Sequence, residues 1–532
     1  MKTLLTILSI IILFSEFLFG QNMEITWQQC FGGSENDHAY DIIVIQNGYL
    51  IAGSTKSNDG NISYNHGATD GWLLKTNIIG ELLWEKTYGG TNGDGIFRIF
   101  PADGNNFFLL CSSYSSNGDI SYDPFPESTD FWIVKIDSSG NILWDKIVGG
   151  NGLDQMWTGT PTNDGGVVAL GWSGSEYGDV SVNYGLYDIW MIKLNSEGEI
   201  GWDFTIGTDW QDYGQAIIQT SDGGFLVGGS SKLTGGGNLN CETHGQADGV
   251  LIKLDSLRNI EWQQCYGGSD YDGVWELMEL VDGYLFVGYA SSNDGDISGW
   301  HGEGDIWTVK IDYYGNIIWQ KCLGGSRYEY ATNVFQESDG GFKIVGMTES
   351  HDGDVSGNHT LSEYDNDIWM VKLSSDGELL WQQCIGGEGD DRLDFGVVKK
   401  SDNNFVIAGQ TNLGPSYDVE CDPYAIIYPD YWIFEIKDTS TNIINTQTTD
   451  NAIKVYPNPA MDYVVFETSL NPPNCGKCKL IVSDVFGQML TTLHLKNEKT
   501  VWDIREVSSG TYFYYLQSGL NAIERGKIVI LK

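Results

Sequence analysis

A unit of about 60 residues recurs seven times along this chain, and this repetition constrains the fold more than any other feature. A typical unit contains a tryptophan shortly before a Gly-Gly pair, an apolar stretch, an Asp-Gly-Gly turn, a long polar loop and an Asp-x-Trp-x-x-Lys segment. Short apolar segments between glycine turns are typical of β-strands, and a fixed period of this length indicates a radial array of small sheets. The repeat therefore predicts an all-β chain with the fold of a β-propeller.

Two series of tryptophans set the register of the repeat. The first series precedes the Gly-Gly pair and comprises Trp27, Trp84, Trp144, Trp202, Trp262, Trp319 and Trp381. The second follows an aspartate by two positions and comprises Trp72, Trp132, Trp190, Trp307, Trp369 and Trp432, with Val250 in its place in the fourth unit. Because these positions use 13 of the 19 tryptophans, packing between strands accounts for most of the tryptophan content.

The boundaries of the units predict a ring closed by strands from both ends of the array. Residues 27–31 correspond to the last strand of the other units, whereas the seventh unit ends near Lys437 without that strand. We expect residues 27–31 to be the outermost strand of the blade formed by residues 392–437, because this leaves no exposed sheet edge. The prediction is seven blades, each a four-stranded antiparallel meander, with residues 39–45 and their equivalents lining a central channel.

Hydropathy and composition divide the chain into four parts. A positive start followed by an apolar run predicts a secretory signal peptide at residues 1–20. The seven units occupy residues 21–438, a polar linker occupies 439–450, and a second domain follows at 451–532. No other stretch is long and apolar enough to span a bilayer, so we expect a mature protein without a transmembrane helix. We also expect this protein to be a monomer.

The chain carries a formal net charge of −43 at pH 7. Nucleic acids and anionic membrane surfaces would repel such a protein. The composition therefore excludes them as partners and suits an extracellular setting with loose cation binding.

The nine cysteines show no obvious disulfide framework. Four of them share one repeat position that holds Thr or Ile in the other units: Cys30, Cys265, Cys322 and Cys384. This pattern predicts a small buried site. Equivalent positions on different blades are too far apart to be bridged, and we do not expect Cys241 to pair with Cys421, half a ring away.

Each unit places an acidic residue at the start of its channel strand: Asp37, Asp94, Asp154, Asp212, Asp272, Glu329 and Asp391. These carboxylates either form a rim for a cation or polar ligand at the channel mouth, or accept hydrogen bonds from backbone N–H groups of their own turns. Their presence in every unit favours the second alternative.

Two long loops contain Asp-Gly-Asp sequences, with Asp294 and Asp296 in one and Asp352 and Asp354 in the other. They resemble oxygen-rich calcium loops, but none has the full ligand spacing of an EF-hand. We expect hydrogen-bonded turns here, with weak calcium binding as the alternative and no cofactor required. Histidines that recur before glycine in these loops belong to separate blades, which argues against a zinc site.

Five tryptophans of the repeat region fall outside the two packing series: Trp157, Trp172, Trp210, Trp275 and Trp300. We expect all five near one face, together with the seven acids. Aromatic planes beside carboxylates and amides suit a carbohydrate or peptide surface. The alternative is that these rings pack the mouth of the channel.

Catalytic signatures are scarce, and we identify no catalytic residue. The chain has no Gly-x-Ser-x-Gly elbow, no His-Glu-x-x-His motif and no arginine cluster in the repeats. Nothing singles out a carboxylate pair for glycoside hydrolysis. A polysaccharide-acting hydrolase or lyase remains an alternative to a binding role, and a structural component of the surface or matrix is a third.

The C-terminal region contains, in order, Val455-Tyr-Pro-Asn-Pro459, Ser483-Asp-Val-Phe-Gly487, Ser509-Gly-Thr-Tyr512 and a Gly-Lys-Ile-Val-Ile-Leu-Lys ending at Lys532. These motifs resemble the type IX secretion C-terminal sorting domain of Bacteroidetes. The resemblance covers residues 451–532 and implies a small immunoglobulin-like β-sandwich that engages the type IX secretion machinery. It assigns the sorting signal to Tyr456, Pro457, Asn458, Pro459, Gly487, Gly510, Tyr512, Lys527 and Lys532.

The family pattern is interrupted at residues 471–478, where we expect Cys475 and Cys478 to form a tight disulfide. The resemblance further implies export, with the protein either released or attached to surface lipopolysaccharide. Together with the repeat, it leads us to expect a secreted or cell-surface binding or adhesion protein that recognises a glycan or a protein through one propeller face.

Overall fold

The computed structural model describes residues 23–232, 235–424 and 428–438 and, in the C-terminal region, 453–456, 460–468, 478–483, 489–494, 499–505, 507–518 and 521–531. These residues form strands, turns and loops, as expected for an all-β chain. None of them belongs to a helix long and apolar enough to cross a membrane. The chain divides into two compact units, Met1–Ser440 and Thr441–Lys532. The predicted signal peptide and the linker lie outside the described residues.

The first unit begins with strand β1 (Met23–Phe31) and continues through six four-stranded sheets, I to VI, within the described residues. The strands of each sheet pair antiparallel in sequence order, so each sheet is a meander. Sheets I to III comprise β2 (Asp37–Ile45), β3 (Gly48–Thr55), β4 (Asp70–Asn77) and β5 (Leu82–Tyr88); β6 (Asp94–Pro101), β7 (Phe107–Ser113), β8 (Asp130–Ile136) and β9 (Ile142–Val148); and β10 (Asp154–Pro161), β11 (Val167–Ser173), β12 (Asp188–Leu194) and β13 (Ile200–Ile206). Sheets IV to VI comprise β14 (Asp212–Gln219), β15 (Phe225–Ser231), β16 (Asp248–Leu254) and β17 (Ile260–Tyr266); β18 (Asp272–Leu280), β19 (Gly283–Ala290), β20 (Asp305–Ile311) and β21 (Ile317–Leu323); and β22 (Glu329–Gln336), β23 (Phe342–Thr348), β24 (Asp367–Leu373) and β25 (Leu379–Ile385).

Sheet VII combines the two ends of the array. Its strands are β26 (Asp391–Arg392), β27 (Val397–Ser401), β28 (Asn404–Thr411), β29 (Asp430–Asp438) and β1. Both β26 and β27 pair with β28, so they act as one innermost strand that is interrupted in the middle. Strand β1 pairs antiparallel with β29, with Cys30 opposite Trp432. The expected pairing of residues 27–31 with the last unit is therefore confirmed.

Neighbouring sheets pack through their first strands. Strands β2, β6, β10, β14, β18 and β22 contact one another in sequence, and β2 also contacts β27 and β28 of sheet VII. The backbone N–H of Asp37 in sheet I donates to the carbonyl of Pro429 in sheet VII at 2.8 Å. The sheets thus form a closed, propeller-like array with the first strands at its centre.

The Asp-x-Trp-x-x-Lys segment joins the strands of each sheet. The second-series tryptophans are fully buried, and Trp307 Nε1 donates to Gln320 Oε1 on the outermost strand at 3.0 Å. Side chains of this size cost about 3–5 kcal/mol when truncated to alanine in a core. The lysine of the segment pairs with the acid of the Asp-Gly-Gly turn, as Lys253 does with Asp222 at 2.8 Å.

The first-series tryptophans join each sheet to the next. Trp144 Nε1 donates to the carbonyl of Ser196 at 3.1 Å, and its ring lies against Gly198, which has a φ of 81°. In sheet IV the corresponding glycine is replaced by Arg258, which keeps the left-handed conformation with a φ of 68°. Its guanidinium lies 4.9 Å from the ring centre of Trp202, the first-series tryptophan of sheet III. A cation–π contact thus takes the place of the glycine contact.

Two disulfides correct the expectation that the cysteines form no framework. Cys30 pairs with Cys421, and Cys265 pairs with Cys241. Each bond joins the outermost strand of a sheet to the long loop of the same sheet, so no bond spans two blades. Cys241 and Cys421 are not bonded to each other, as predicted. Cys322 and Cys384, at the same repeat position as Cys30 and Cys265, are free and buried.

The second unit contains two antiparallel sheets within the described residues. One comprises β30 (Ile453–Tyr456), β31 (Tyr463–Thr468) and β34 (Lys499–Asp503). The other comprises β32 (Cys478–Ser483), β33 (Met489–His494), β35 (Gly510–Ser518) and β36 (Asn521–Ile530). Side chains from both sheets, including Phe466, Leu480, Trp502 and Tyr514, form one hydrophobic core.

Candidate functional site

The seven acids at the starts of the first strands do not form an exposed rim. Each is buried, with at most 4% of its surface exposed. Asp37 accepts hydrogen bonds from the N–H of Gly33 at 2.7 Å, the hydroxyl of Ser57 at 3.0 Å and the hydroxyl of Thr55. Glu329 makes the equivalent bonds in sheet VI. The structure therefore matches the alternative in which these carboxylates hold their own turns.

A second buried carboxylate, from the Asp-x-Trp segment, lies beside several of these turn acids. Asp130 and Asp154 flank Gly149, and a Cβ at this glycine would collide with Asp130 Oδ1. Asp367 and Asp391 flank Gly386 in the same way. Burial and the neighbouring carboxylate raise the pKa of Asp130, and burial raises the pKa of Asp391 to about 7. The glycine is required because the carboxylates occupy the space of a side chain.

The Asp-Gly-Asp loops use their carboxylates to hold the adjacent Gly-Gly turns. Asp294 Oδ1 accepts the N–H of Ser269 and Asp352 Oδ1 accepts that of Ser326, both at 2.7 Å. Asp296 Oδ2 accepts the N–H of Gly267 at 3.3 Å, and Asp354 Oδ2 lies 3.8 Å from His301 Nε2. The described residues contain no group of three or more His, Cys, Asp or Glu side chains arranged to hold a metal ion.

A pocket of about 250 Å³ lies at the centre of the sheet array, near the starts of the first strands. It is lined by Trp157, Gln215, Trp275, Tyr330, Ala331, Thr332, Met347, Leu393, Asp394 and Phe395. These residues come from sheets III to VII, so five of the sheets contribute to one cavity. The face on which it opens carries the Gly-Gly turns and the long loops, which are hydrogen-bonded to each other; we call it the loop face.

A β-bulge directs one residue of each first strand toward the centre. Between the first and second strands of each of sheets I to VI, the pairing register shifts at one residue: Tyr40, Phe97, Trp157, Gln215, Trp275 and Thr332. A bulged residue lies outside the regular ladder and is re-aimed by the local bend. All six occupy the third position after the turn acid, and the same position in sheet VII is Asp394, in the interruption between β26 and β27.

Aromatic rings from opposite parts of the array meet in this pocket. Trp157 of sheet III contacts Phe395 of sheet VII edge to face, with ring centres 6.2 Å apart and an interplanar angle of 88°. Trp275 lies parallel to Tyr330, at 5.4 Å and 2°, and to Tyr289, at 6.0 Å and 12°. Contacts across the centre show that these rings narrow the channel rather than only lining it.

Charged groups surround the rings. Burial raises the pKa of Asp394 to about 6, although the guanidinium of Arg392 acts in the opposite direction. Burial also raises the pKa of Glu276 to about 7, again opposed by an arginine, Arg98. Arg98 Cζ lies 4.5 Å from the ring centre of Phe395, and its Nε lies 3.8 Å from Asp41 Oδ2. The pocket therefore has a carboxylate in its lining and an arginine behind one of its rings.

The structure brings only two of the five predicted tryptophans, Trp157 and Trp275, into this pocket. Trp172 packs against Tyr187 and Tyr213 instead. Trp210 is 43% exposed in a loop, and Trp300 packs against the core of sheets IV and V. Gln215, Tyr330 and Asp394 also line the pocket but were not predicted from the sequence. Alignment of the repeats on the turn acid places Gln215 and Asp394 at the same position as Trp157 and Trp275.

The predicted sorting-signal residues that the structure describes belong to strands of the second unit. Tyr456 donates its hydroxyl to Glu467 at 2.7 Å, and buried Tyr512 donates to the carbonyl of Ser508 at 2.8 Å. Gly510 begins β35 and Lys527 lies in β36. Outside the described residues lie Pro457, Asn458, Pro459, Gly487, Lys532 and Cys475, together with the side chain of Cys478.

Residues 454–531 match the secretion system C-terminal sorting domain family. A comparison with curated proteins found no match. The WD40 domain of Neurospora crassa Pan2 has a TM-score of 0.43 at 9% identity, covering 78% of this chain and 96% of that chain. The polysaccharide lyase Uly1 has a TM-score of 0.39 at 9% identity, covering 79% and 99%. PorZ, a surface component of the type IX secretion system of Porphyromonas gingivalis, has a TM-score of 0.23 at 9% identity, covering 95% and 85%.

At these scores the propeller-like arrangement rests on the strand pairing described above. The family match covers the C-terminal part of the chain and agrees with the resemblance found in its motifs. It marks this chain as a protein that the type IX secretion system exports to the cell surface or the extracellular space.

Proposed function

We propose that this protein is a seven-bladed β-propeller that binds a glycan or protein ligand outside the cell, with an immunoglobulin-like sorting domain at its C-terminus. Sheets I to VII would be the blades, and the mature protein would act as a monomeric binding or adhesion module. The pocket on the loop face carries this proposal. Its aromatic rings, with Gln215 and Asp394 among them, combine apolar contact area with a few polar groups that can orient a ligand.

The test is a binding screen of the purified full-length chain on glycan and peptide arrays, with any hit monitored for turnover. The matched variants are Trp275→Ala in the pocket and Tyr314→Ala on the opposite face. Tyr314 is 77% exposed in the turn between β20 and β21 and does not line the pocket. We expect binding that is lost in Trp275→Ala and retained in Tyr314→Ala.

Two results would overturn the proposal. Absence of binding on both arrays would favour a structural role in the surface or matrix. Cleavage of a bound polysaccharide would favour a hydrolase or lyase, and the raised pKa values of Glu276 and Asp394 would then single them out as acid–base candidates. In that case Glu276→Gln and Asp394→Asn should reduce turnover more than binding.

A further inference from the structure

The position that carries the bulge in sheets I to VI is occupied by a charged residue in sheet VII. The third residue after the turn acid is aromatic, amide or hydroxyl in sheets I to VI, but it is the carboxylate Asp394 in sheet VII. Trp157, Gln215, Trp275, Thr332 and Asp394 occupy this position in the five sheets that line the pocket. Asp394 is therefore a departure from the repeat at the place where the repeat faces the cavity.

The Asp394 carboxylate has no fixed partner. Among the described residues, no hydrogen bond or ion pair within 4 Å holds it, and Arg392 is the opposite charge that acts on it. The nearby Arg392 is engaged by Asp390, whose Oδ2 accepts from Arg392 Nε at 2.6 Å. A partly buried carboxylate without a partner is costly, and the cost falls when a ligand supplies a positive charge.

The rings around this carboxylate suit a positive charge as well. Trp157 and Phe395 approach from sheets III and VII, and Trp275 and Tyr330 from sheets V and VI. The face of an aromatic ring carries negative electrostatic potential, and a cation within about 6 Å of the ring centre is attracted to it. Four rings and one carboxylate therefore favour a cation over a neutral group of the same size.

The remaining charges of the channel do not reverse this preference. Arg98 Cζ lies 4.5 Å from the ring centre of Phe395, and Arg98 is not part of the pocket lining. Asp41 Oδ2 lies 3.8 Å from Arg98 Nε. The charge of Arg98 also acts on Glu276 and lowers the pKa of that carboxyl. The net charge of −43 on the whole chain also attracts cations and repels anions.

We propose that this pocket binds the alkylammonium group of a protein ligand, such as a lysine side chain, among Trp157, Trp275, Tyr330 and Phe395 with Asp394 as its counter-ion. The inference rests on the ligand-binding role proposed above and names the ligand class. A protein is favoured over a glycan because lysine side chains carry the positive charge that Asp394 and the rings favour, whereas most sugar units carry none. A cavity of about 250 Å³ has room for one side chain.

Isothermal titration calorimetry of the full-length chain with choline and with 3,3-dimethyl-1-butanol tests the charge preference. The two probes have nearly the same shape, but only choline is charged. We expect choline to bind at least about tenfold more tightly, which is 1.4 kcal/mol. Asp394→Asn should abolish this ratio, whereas Asp376→Asn, in an exposed turn between β24 and β25, should preserve it. Choline keeps its charge at all pH values, so its binding should weaken below about pH 6 as Asp394 is protonated.

A second pair of probes distinguishes the sources of the cation. Tetralysine should bind more tightly than a glucosamine tetramer, and the reverse order would overturn the assignment to a protein ligand. Equal affinity for choline and its neutral analogue, or a ratio that survives Asp394→Asn in a folded variant, would overturn the cation site. In that case, an array ligand whose binding is lost in Trp275→Ala would still support the proposed function.

Discussion

Cys30 and Cys421 are joined by a disulfide although 391 positions separate them in sequence. Cys30 lies in β1, the strand that completes sheet VII, and Cys421 lies in the long loop between β28 and β29. The closing strand is thus held by main-chain hydrogen bonds to β29 and by a covalent bond to its own sheet.

Replacing both residues, Cys30→Ser with Cys421→Ser, should destabilise the protein by about 2–4 kcal/mol, because β1 is then free to separate in the unfolded ensemble. Chemical unfolding under non-reducing conditions measures the loss. The control is Cys241→Ser with Cys265→Ser, whose disulfide spans only 24 positions, and a smaller loss is expected there. An equal or larger loss in the control would show that ring closure is not the main contribution.

Stability should fall as the pH rises from about 4 to 7. Burial raises the pKa of Asp391 from 3.8 to about 7, so the folded state keeps this proton to a higher pH than the unfolded state does. The stabilisation is complete below the unfolded pKa and is lost as the pH rises through the folded one, by up to about 1.4 kcal/mol per pH unit. Burial raises the pKa of Glu329 to about 7 as well, with the same sign.

Urea unfolding of wild type and Asp391→Asn from pH 4 to 8 checks this dependence. The variant cannot titrate at this position, so its stability should depend less steeply on pH. Identical slopes for the two proteins would contradict the assignment to Asp391.

Gly149→Ala should cost about 1–3 kcal/mol, because the new methyl group would have to displace the carboxylates of Asp130 and Asp154. Gly93→Ala is the matched control, since a Cβ there has no heavy atom within 4 Å. Thermal unfolding of both variants provides the comparison. If the two alanines have the same effect, the close approach of the carboxylates is not what requires a glycine at position 149.

The calcium alternative can be separated from the turn role at Asp294. If its carboxylate only accepts the Ser269 N–H, Asp294→Asn should keep near wild-type stability, while Asp294→Ala should lose about 1 kcal/mol. Added calcium should then leave the unfolding temperature of the wild type unchanged. A calcium-dependent increase that disappears in Asp294→Asn would instead establish a cation site in this loop.

The strand register followed from the sequence, whereas the disulfides did not. Tryptophan and Gly-Gly spacings repeat with the strands, so they located the pairing of β1 with β29. Cys241 and Cys421 lie in the two loops that depart most from the repeat, and periodicity gives no information about how such loops fold back on the outermost strand. Cys322 has the same strand position as Cys265 but no disulfide partner.

The pocket was predictable in part. Trp157 and Trp275 stood out as tryptophans that strand packing did not require, and both line the cavity. Gln215 and Asp394 share the repeat position of these two tryptophans, but a single polar residue in a strand is ordinary until the bulge or interruption that turns it inward is known. Trp210 and Trp300 are also tryptophans that strand packing did not require, but they lie in loops and do not line the cavity.

The bulges of the first strands separate the choice of central side chain from the pairing of the sheets. A bulged residue does not take part in the pairing ladder, so exchanging it leaves the register of its strand intact. Sheets III to VI each contribute one such side chain to the pocket: Trp157, Gln215, Trp275 and Thr332. In the binding role proposed above, exchanging one of these residues would therefore alter the pocket at a single sheet and leave the strand pairing of the scaffold unchanged.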